Sequence, residues 1–223
     1  TIGEVPPAVF IPVAERAGLI AGIGSFVLTR ACEQFVRHNG AQDRYLTVNV
    51  SPLQLLDSGF PLTVSEALAR SGLAPDQLVL EITENVLAEE SNVVEALHGL
   101  RHLGVRVAMD DFGTGYSSLR HLHRFPIDII KIDRSYIRDI GSDQGAARIV
   151  NTLLHMFSAL GLTTVAEGVE DADQADLLQR LGCRYGQGYL FSRPVEADLL
   201  ASALAAPRQA DATTPDLLSG VPS

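Results

Sequence analysis

The chain has 223 residues, 46% of them hydrophobic and 20% charged, with a formal net charge of −10. That length and composition suit one soluble globular domain with a substantial core. So acidic a domain does not grip a nucleic-acid polymer through a general basic surface, so metal ions or a few local cations must meet any phosphorylated ligand. Its two cysteines, Cys32 and Cys183, form no Cys-x-x-Cys and no disulfide framework. Both are expected to pack as small apolar residues, which fits a reducing cytoplasm. No secretory signal stands at Thr1, and the longest apolar stretch, around Ala17 to Leu28, is too short to span a membrane. A membrane-anchored parent protein stays compatible with both observations.

Helix-like and strand-like runs alternate along the chain. The pattern predicts a helix over Ile20–His38, a strand over Tyr45–Val50, a helix over Pro61–Ser71 and a strand over Leu78–Ile82. It continues with a helix over Asn92–Leu103, a strand over Val105–Met109, a helix over Tyr116–Leu122 and a strand over Ile127–Ile132. The last elements are a helix over Gly145–Leu160, a strand over Thr163–Ala166, a helix over Asp171–Leu181, a strand over Tyr185–Phe191 and a helix over Glu196–Ala205. The strand runs are rich in Val, Ile and Leu with little polar alternation, the signature of parallel strands covered on both faces. Gly72, Gly104, Gly161 and Gly182 each follow a helical run, where a left-handed cap is expected. Ser91 and Asp171 are the expected N-caps. Repeated β-α units predict an α/β fold, either a barrel or an open sheet, and a closed eight-stranded barrel would need two strands more than the six visible. Residues 1–206 are expected to form the domain, and the tail 207–223, rich in Ala, Thr, Asp, Pro and Ser, to be disordered.

Every predicted strand carries a polar residue at or near its C-terminal end. In order these are Asn49; Glu81 and Glu84; Asp110 and Asp111; Lys131 and Asp133; Glu167 and Glu170; and Gln187. Active sites of barrels and open parallel sheets sit at that end. Singly, each is an ordinary turn former or cap; jointly, the pattern is hard to obtain by chance. Lys131 stands among Ile129, Ile130 and Ile132 and shares a face with Asp133 at i, i+2, so acids must surround it. The acids greatly outnumber that lysine. Crowded carboxylates stay protonated unless a cation joins them, and oxygen ligands favour Mg²⁺ or Mn²⁺. His98 and His102 are i, i+4 on one helix but read as a solvent-facing pair, and His121 and His123 lack a ligand-like context. Asp110 and Asp111 would point to opposite faces of an ideal strand; a turn at the strand end lets both approach the mouth and address two adjacent ions. Gly113 and Gly115 free the loop that follows.

Seven stretches resemble the EAL domain, a bacterial phosphodiesterase family: FIPVAERAGLI, VNVSPLQL, LEITE, DDFGTGYSSL, FPIDIIKIDRSYI, VAEGVE and LGCRYGQGYLFSRP. They follow one another in the family's order from about Phe10 to Pro194. The resemblance implies a TIM-like (β/α) barrel with one antiparallel strand. It also implies hydrolysis of cyclic di-GMP to linear pGpG with Mg²⁺ or Mn²⁺ at a two-metal site. On that likeness Asn49, Glu81 and Asp110 match metal ligands, and Asp111 matches the acid reaching the second metal. Lys131 and Glu167 match the residues that orient or deprotonate the hydrolytic water. Glu84 resembles the glutamate anchoring the loop after Asp111, and Gln187 a ligand contact; Asp133 and Glu170 are assigned to substrate or loop support. The loop after Asp111 and its following helix resemble a homodimer contact.

One departure stands out. The family's Glu-Ala-Leu motif lies before FIPVAE, whereas this sequence begins TIGEVPPAVFIP. By the resemblance, the first two strands, a metal-binding glutamate and a substrate-contacting arginine are absent. The chain is therefore expected to be a fragment of a longer protein, with a sensor or GGDEF-type domain upstream and low activity of its own. The alternative is a catalytically inactive EAL module that acts as a cyclic di-GMP receptor or protein-interaction domain.

Overall fold

The computed structural model describes residues 3, 5–38, 44–84, 86, 90–113, 122, 124–200 and 202. In chain order the helices and strands are α1 (Pro7–Arg16), α2 (Ile20–His38), β1 (Leu46–Asn49), α3 (Pro52–Leu55), α4 (Phe60–Ser71), β2 (Leu78–Thr83), α5 (Glu90–His102), β3 (Arg106–Phe112), β4 (Ile129–Ile132), α6 (Arg134–Ile137), α7 (Gln144–Ala159), β5 (Thr163–Glu167), α8 (Ala172–Arg180) and β6 (Tyr185–Gln187). The six strands form one sheet in sequence order, and every neighbouring pair is parallel. This is a curled sheet of the TIM-like type. β1 and β6 are its two edges, and no antiparallel strand occurs among the described residues.

Strand alternation divides the apolar side chains into two cores. Leu78, Leu80, Ile82, Val107, Met109, Ile130, Ile132 and Ala166 face outward, where Leu97, Leu100, Phe157 and Leu178 of the helices cover them. Val79, Ala108, Ile129, Val165 and Tyr185 face inward and pack together under Tyr45. Two residues further along the same inner face come Glu81, Asp110, Lys131, Glu167 and Gln187. The apolar layer is thus a dry floor beneath the polar strand ends.

The expected elements that fall on described residues hold for the most part, with shifted ends. β3 runs on through both aspartates to Phe112, beyond the expected Met109. β6 stops at Gln187, not Phe191, because the chain turns there and Leu190 N–H donates to Val169 O at 3.1 Å. Of the expected helix Glu196–Ala205, Ala197–Leu199 form a 3-10 turn and Leu200 and Ser202 are helical, while residues 201 and 203–205 lie outside the described residues. Ser91 lies inside α5, which begins at Glu90, so it is not the cap. Asp171 is one: its Oδ1 accepts from Gln174 N–H at 2.8 Å. Gly72, Gly104, Gly161 and Gly182 all adopt the left-handed conformation of caps. Three helices are absent from the sequence pattern: Pro12 inside α1 reads as a breaker, and α3 and α6 span four residues each. Ser51 Oγ, the N-cap of α3, donates to Glu15 Oε1 of α1 at 2.6 Å. Both cysteines are buried and free. No described helix is long and apolar enough to cross a membrane. Residues 114–121 and 203–223 lie outside the described residues, and with them most of the expected helix Tyr116–Leu122, the expected dimer loop, Gly115, His121 and the tail; so does His123.

Candidate active site

The paired aspartates sit on a β-bulge. β3 and β4 match Met109 with Ile130 and Phe112 with Ile132. Between those pairs, Asp110 and Asp111 on β3 oppose Lys131 alone on β4, two residues against one. Asp111 takes φ +54, the left-handed region that Asp tolerates better than most residues. The extra residue breaks the alternation that would have sent one carboxylate into the helical layer. Asp110, Asp111 and Glu167 each bring an oxygen within 4.8 Å of the others.

Lys131 is the hub. Its Nζ lies 2.7 Å from Glu167 Oε1, 2.9 Å from Asp110 Oδ1 and 3.0 Å from Glu81 Oε1, and its side chain is 6% exposed. Asp133, expected to share its face, does not join it. The strand ends at Ile132, and Asp133 turns away to cap α6, accepting from Ser135 N–H at 3.0 Å. Those hydrogen bonds outweigh burial and hold its carboxyl below the usual range.

One ammonium among this many carboxylates leaves the cluster short of positive charge. Burial is the largest influence on Lys131 and favours its neutral form, but Glu81 and Glu167 outweigh it and raise its affinity for the proton. Burial also raises Glu81, despite Lys131. Desolvation, then Asp110 and Asp133, raises Asp111. Glu167 is pushed up to about 7, chiefly by burial, with Asp110 and Glu81 adding to it against the pull of Lys131. Upward shifts on both partners of an ion pair mark a site that wants another cation, a proton or a metal. Asp110 Oδ1 makes the same point in geometry. It is sealed from solvent and has the Lys131 ion contact but no directed hydrogen bond, so a lone pair remains for a cation. The all-oxygen donor set of Asp110, Asp111 and Glu167 fits a hard divalent ion.

The remaining predicted residues surround this centre. Asn49 pairs in register with Glu81 at the end of β1, and Gln187 with Glu167 at the end of β6; both are exposed. Glu84 is buried, and its Oε2 accepts from Gly113 N–H at 3.0 Å. Glu170 is exposed and contributes its backbone N–H to Gln174 Oε1. His98 and His102 are exposed on α5, with His102 Nδ1 2.7 Å from His98 O. Two residues escape a reading of the sequence. Tyr136 holds the other side of Gly113, its hydroxyl donating to Gly113 O at 3.4 Å. Gln174 is buried at the start of α8. Its signal is there to be found: Asp-x-x-Gln is a capping box.

The profile described as EAL domain matches residues 2–194. Over 206 residues the chain is 40% identical to the bifunctional diguanylate cyclase/cyclic di-GMP phosphodiesterase MucR of Pseudomonas aeruginosa, covering 91% of this chain and 30% of that protein. It is 38% identical over 199 residues to the oxygen sensor protein DosP of Escherichia coli, covering 88% of this chain and 25% of that protein. The chain therefore spans a third or less of these relatives. Among solved structures, the PaMucR phosphodiesterase in complex with c-di-GMP superposes with a TM-score of 0.81 at 41% identity, covering 88% of this chain and 81% of that one. The EAL domain of Mycobacterium smegmatis DcpA superposes with a TM-score of 0.80 at 41% identity, covering 85% and 87%. With the profile matched along most of its length, the chain belongs to the EAL domain family.

Proposed function

We propose that the chain is the catalytic region of a metal-dependent phosphodiesterase that hydrolyses cyclic di-GMP to linear pGpG. The observation that carries this reading is the oxygen-only set of Asp110, Asp111 and Glu167 within 4.8 Å, beside a buried lysine at the C-terminal ends of parallel strands. MucR, a relative at 40% identity, carries that activity in its name.

Asp110, Asp111, Glu81 and Asn49 would hold Mg²⁺ or Mn²⁺, with an oxygen of Glu167 at the edge of the same site. A bound pair would supply Lewis acidity at the phosphodiester and lower the pKa of a water nucleophile. Glu167, with its proton affinity near neutrality, suits the general base: it accepts the water proton as the water oxygen adds to phosphorus. The P–O3′ bond then breaks, and the 3′ oxygen takes up a proton, leaving a 5′-phosphate on the linear product. Lys131 keeps its proton, so its part is to orient the water and steady the charge growing on phosphate rather than to act as a base. Glu84 holds the Gly113 peptide and so the end of the bulge.

The test is turnover of cyclic di-GMP with Mn²⁺, on this chain and on an upstream-extended form. The extended wild type should release pGpG. Lys131→Ala should lower kcat by roughly 10²-fold, the scale of a positioned polar catalyst, while cyclic di-GMP binding with Ca²⁺ changes far less. Tight binding without turnover in the extended wild type would instead establish a receptor.

A further inference from the structure

Gln174 joins the loops that carry Glu167 and Lys131. It is 7% exposed and uses both ends of its amide. Oε1 accepts from the backbone N–H of Glu170 at 2.8 Å and of Asp171 at 3.4 Å. Nε2 donates to the carbonyls of Arg138 at 3.3 Å and Ile137 at 3.4 Å. The acceptor side grips the loop leaving β5, three residues after Glu167. The donor side grips the end of α6, the turn that follows Lys131 and Asp133. Capping α8 requires only the exchange with Asp171; the two bonds to α6 lie beyond what a helix start needs.

The same loop is held elsewhere too. Gly168 has φ +68, and a Cβ there would fall 2.5 Å from Arg134 Cβ, on the first residue of α6. Val169 N–H donates to Gln187 O at 3.0 Å. The ladder between β4 and β5, in contrast, ends at Ile132 and Ala166, one residue short of Glu167. Register with Gln187 of β6 holds Glu167 on one side, and on the β4 side its 2.7 Å approach to Lys131 is set by how the loop sits against α6.

We infer that Gln174 is a positioning residue. Its amide locks the β5–α8 loop to α6 and so sets the Glu167 carboxylate against Lys131, Asp110 and Asp111, without touching a reacting atom. The inference rests on reading this cluster as a divalent-metal phosphodiesterase centre. Partners of metal-site residues are typically worth 10–100-fold in metal affinity or activity.

Gln174→Met removes both ends of the amide at similar length. Gln174→Glu keeps an acceptor for Glu170 and Asp171 but sets charge against two carbonyls. Asp171→Ala is the control: it weakens the start of α8 and leaves the bonds to α6 in place. Mn²⁺ binding by calorimetry, kcat and KM for cyclic di-GMP, and melting temperature are measured on the purified proteins, this chain and its upstream-extended form. Both Gln174 variants should bind Mn²⁺ at least ~10-fold more weakly and lose kcat to a similar degree with KM little changed. Asp171→Ala should lower the melting temperature yet keep Mn²⁺ affinity and kcat. If Gln174→Met does not fold, Gln174→Glu decides alone. Wild-type Mn²⁺ affinity in a folded Gln174 variant overturns the inference, as does an equal loss in Asp171→Ala. An upstream-extended wild type that binds Mn²⁺ without turnover overturns the phosphodiesterase reading alone, and Mn²⁺ affinity then decides on Gln174. A wild type that binds no Mn²⁺ overturns both.

Discussion

Asp111 and Glu167 carry the two clearest expectations at the scale of single residues. Asp111 is crowded by Asp110 and Asp133 and sits at φ +54, a conformation Asn adopts readily. Asp111→Asn should therefore raise the melting temperature of the metal-free protein while abolishing turnover; an unchanged or lower melting temperature would show that repulsion there is negligible. Glu167 binds its proton more tightly folded than unfolded. Stability from such a raised carboxyl is complete below the unfolded value near 4.3 and is lost as pH rises through the folded value, at about 1.4 kcal/mol for each tenfold gain in proton affinity on folding. With chelator present, the protein should lose stability between about pH 4.5 and 7 relative to Glu167→Gln. Mn²⁺ should flatten that difference by taking the proton's place. Thermal melts across the range check both, and parallel curves for the two proteins would sink the assignment.

Among the elements, the end of β3 matters most. Glu84 holds the N–H and Tyr136 the C=O of Gly113, which itself has φ +100. An added Cβ would run into the Tyr136 ring, and a side chain dislikes that φ besides. Gly113→Ala should cost about 1–3 kcal/mol of stability, the range for strained backbone. It should also reduce turnover more than Tyr136→Phe, which keeps the ring and drops only a long hydrogen bond. Denaturant melts and kinetics on both variants separate strain from hydrogen bonding; a neutral Gly113→Ala would mean that the bulge relaxes freely. Leu80, Ile130 and Ile132, fully buried under the helices, contribute stability.

At the scale of the whole molecule, the sheet formed by the described residues leaves β1 and β6 as edges. Unpaired edges expose backbone N–H and C=O groups and invite pairing with further strands. A form extended upstream by about 40 residues, two β-α units at ordinary loop lengths, should melt higher and turn over faster if its added strands pair with those edges. Equal melting temperature and turnover in the two forms would show that the edges need no cover.

Several features of this protein are written in its residues. The Val-, Ile- and Leu-rich runs specify parallel strands because burial on both faces suppresses polar alternation. Gly72, Gly104, Gly161 and Gly182 mark helix ends because a left-handed cap suits a residue without a Cβ. The polar residue closing each strand marks the mouth, and Lys131 between isoleucines demands acids, since an unpaired buried ammonium is costly. Local pattern could not name its partners. Asp133 is closest in sequence and is claimed by α6, because a free N–H at a helix start lies nearer to it. Glu81, Asp110 and Glu167 reach Lys131 only because β2, β3 and β5 flank β4 or lie one strand beyond it, in a fixed register. The bulge belongs to the tertiary structure as well. Whether Asp110 and Asp111 diverge or converge depends on the register of β3 against β4, which both strands set together.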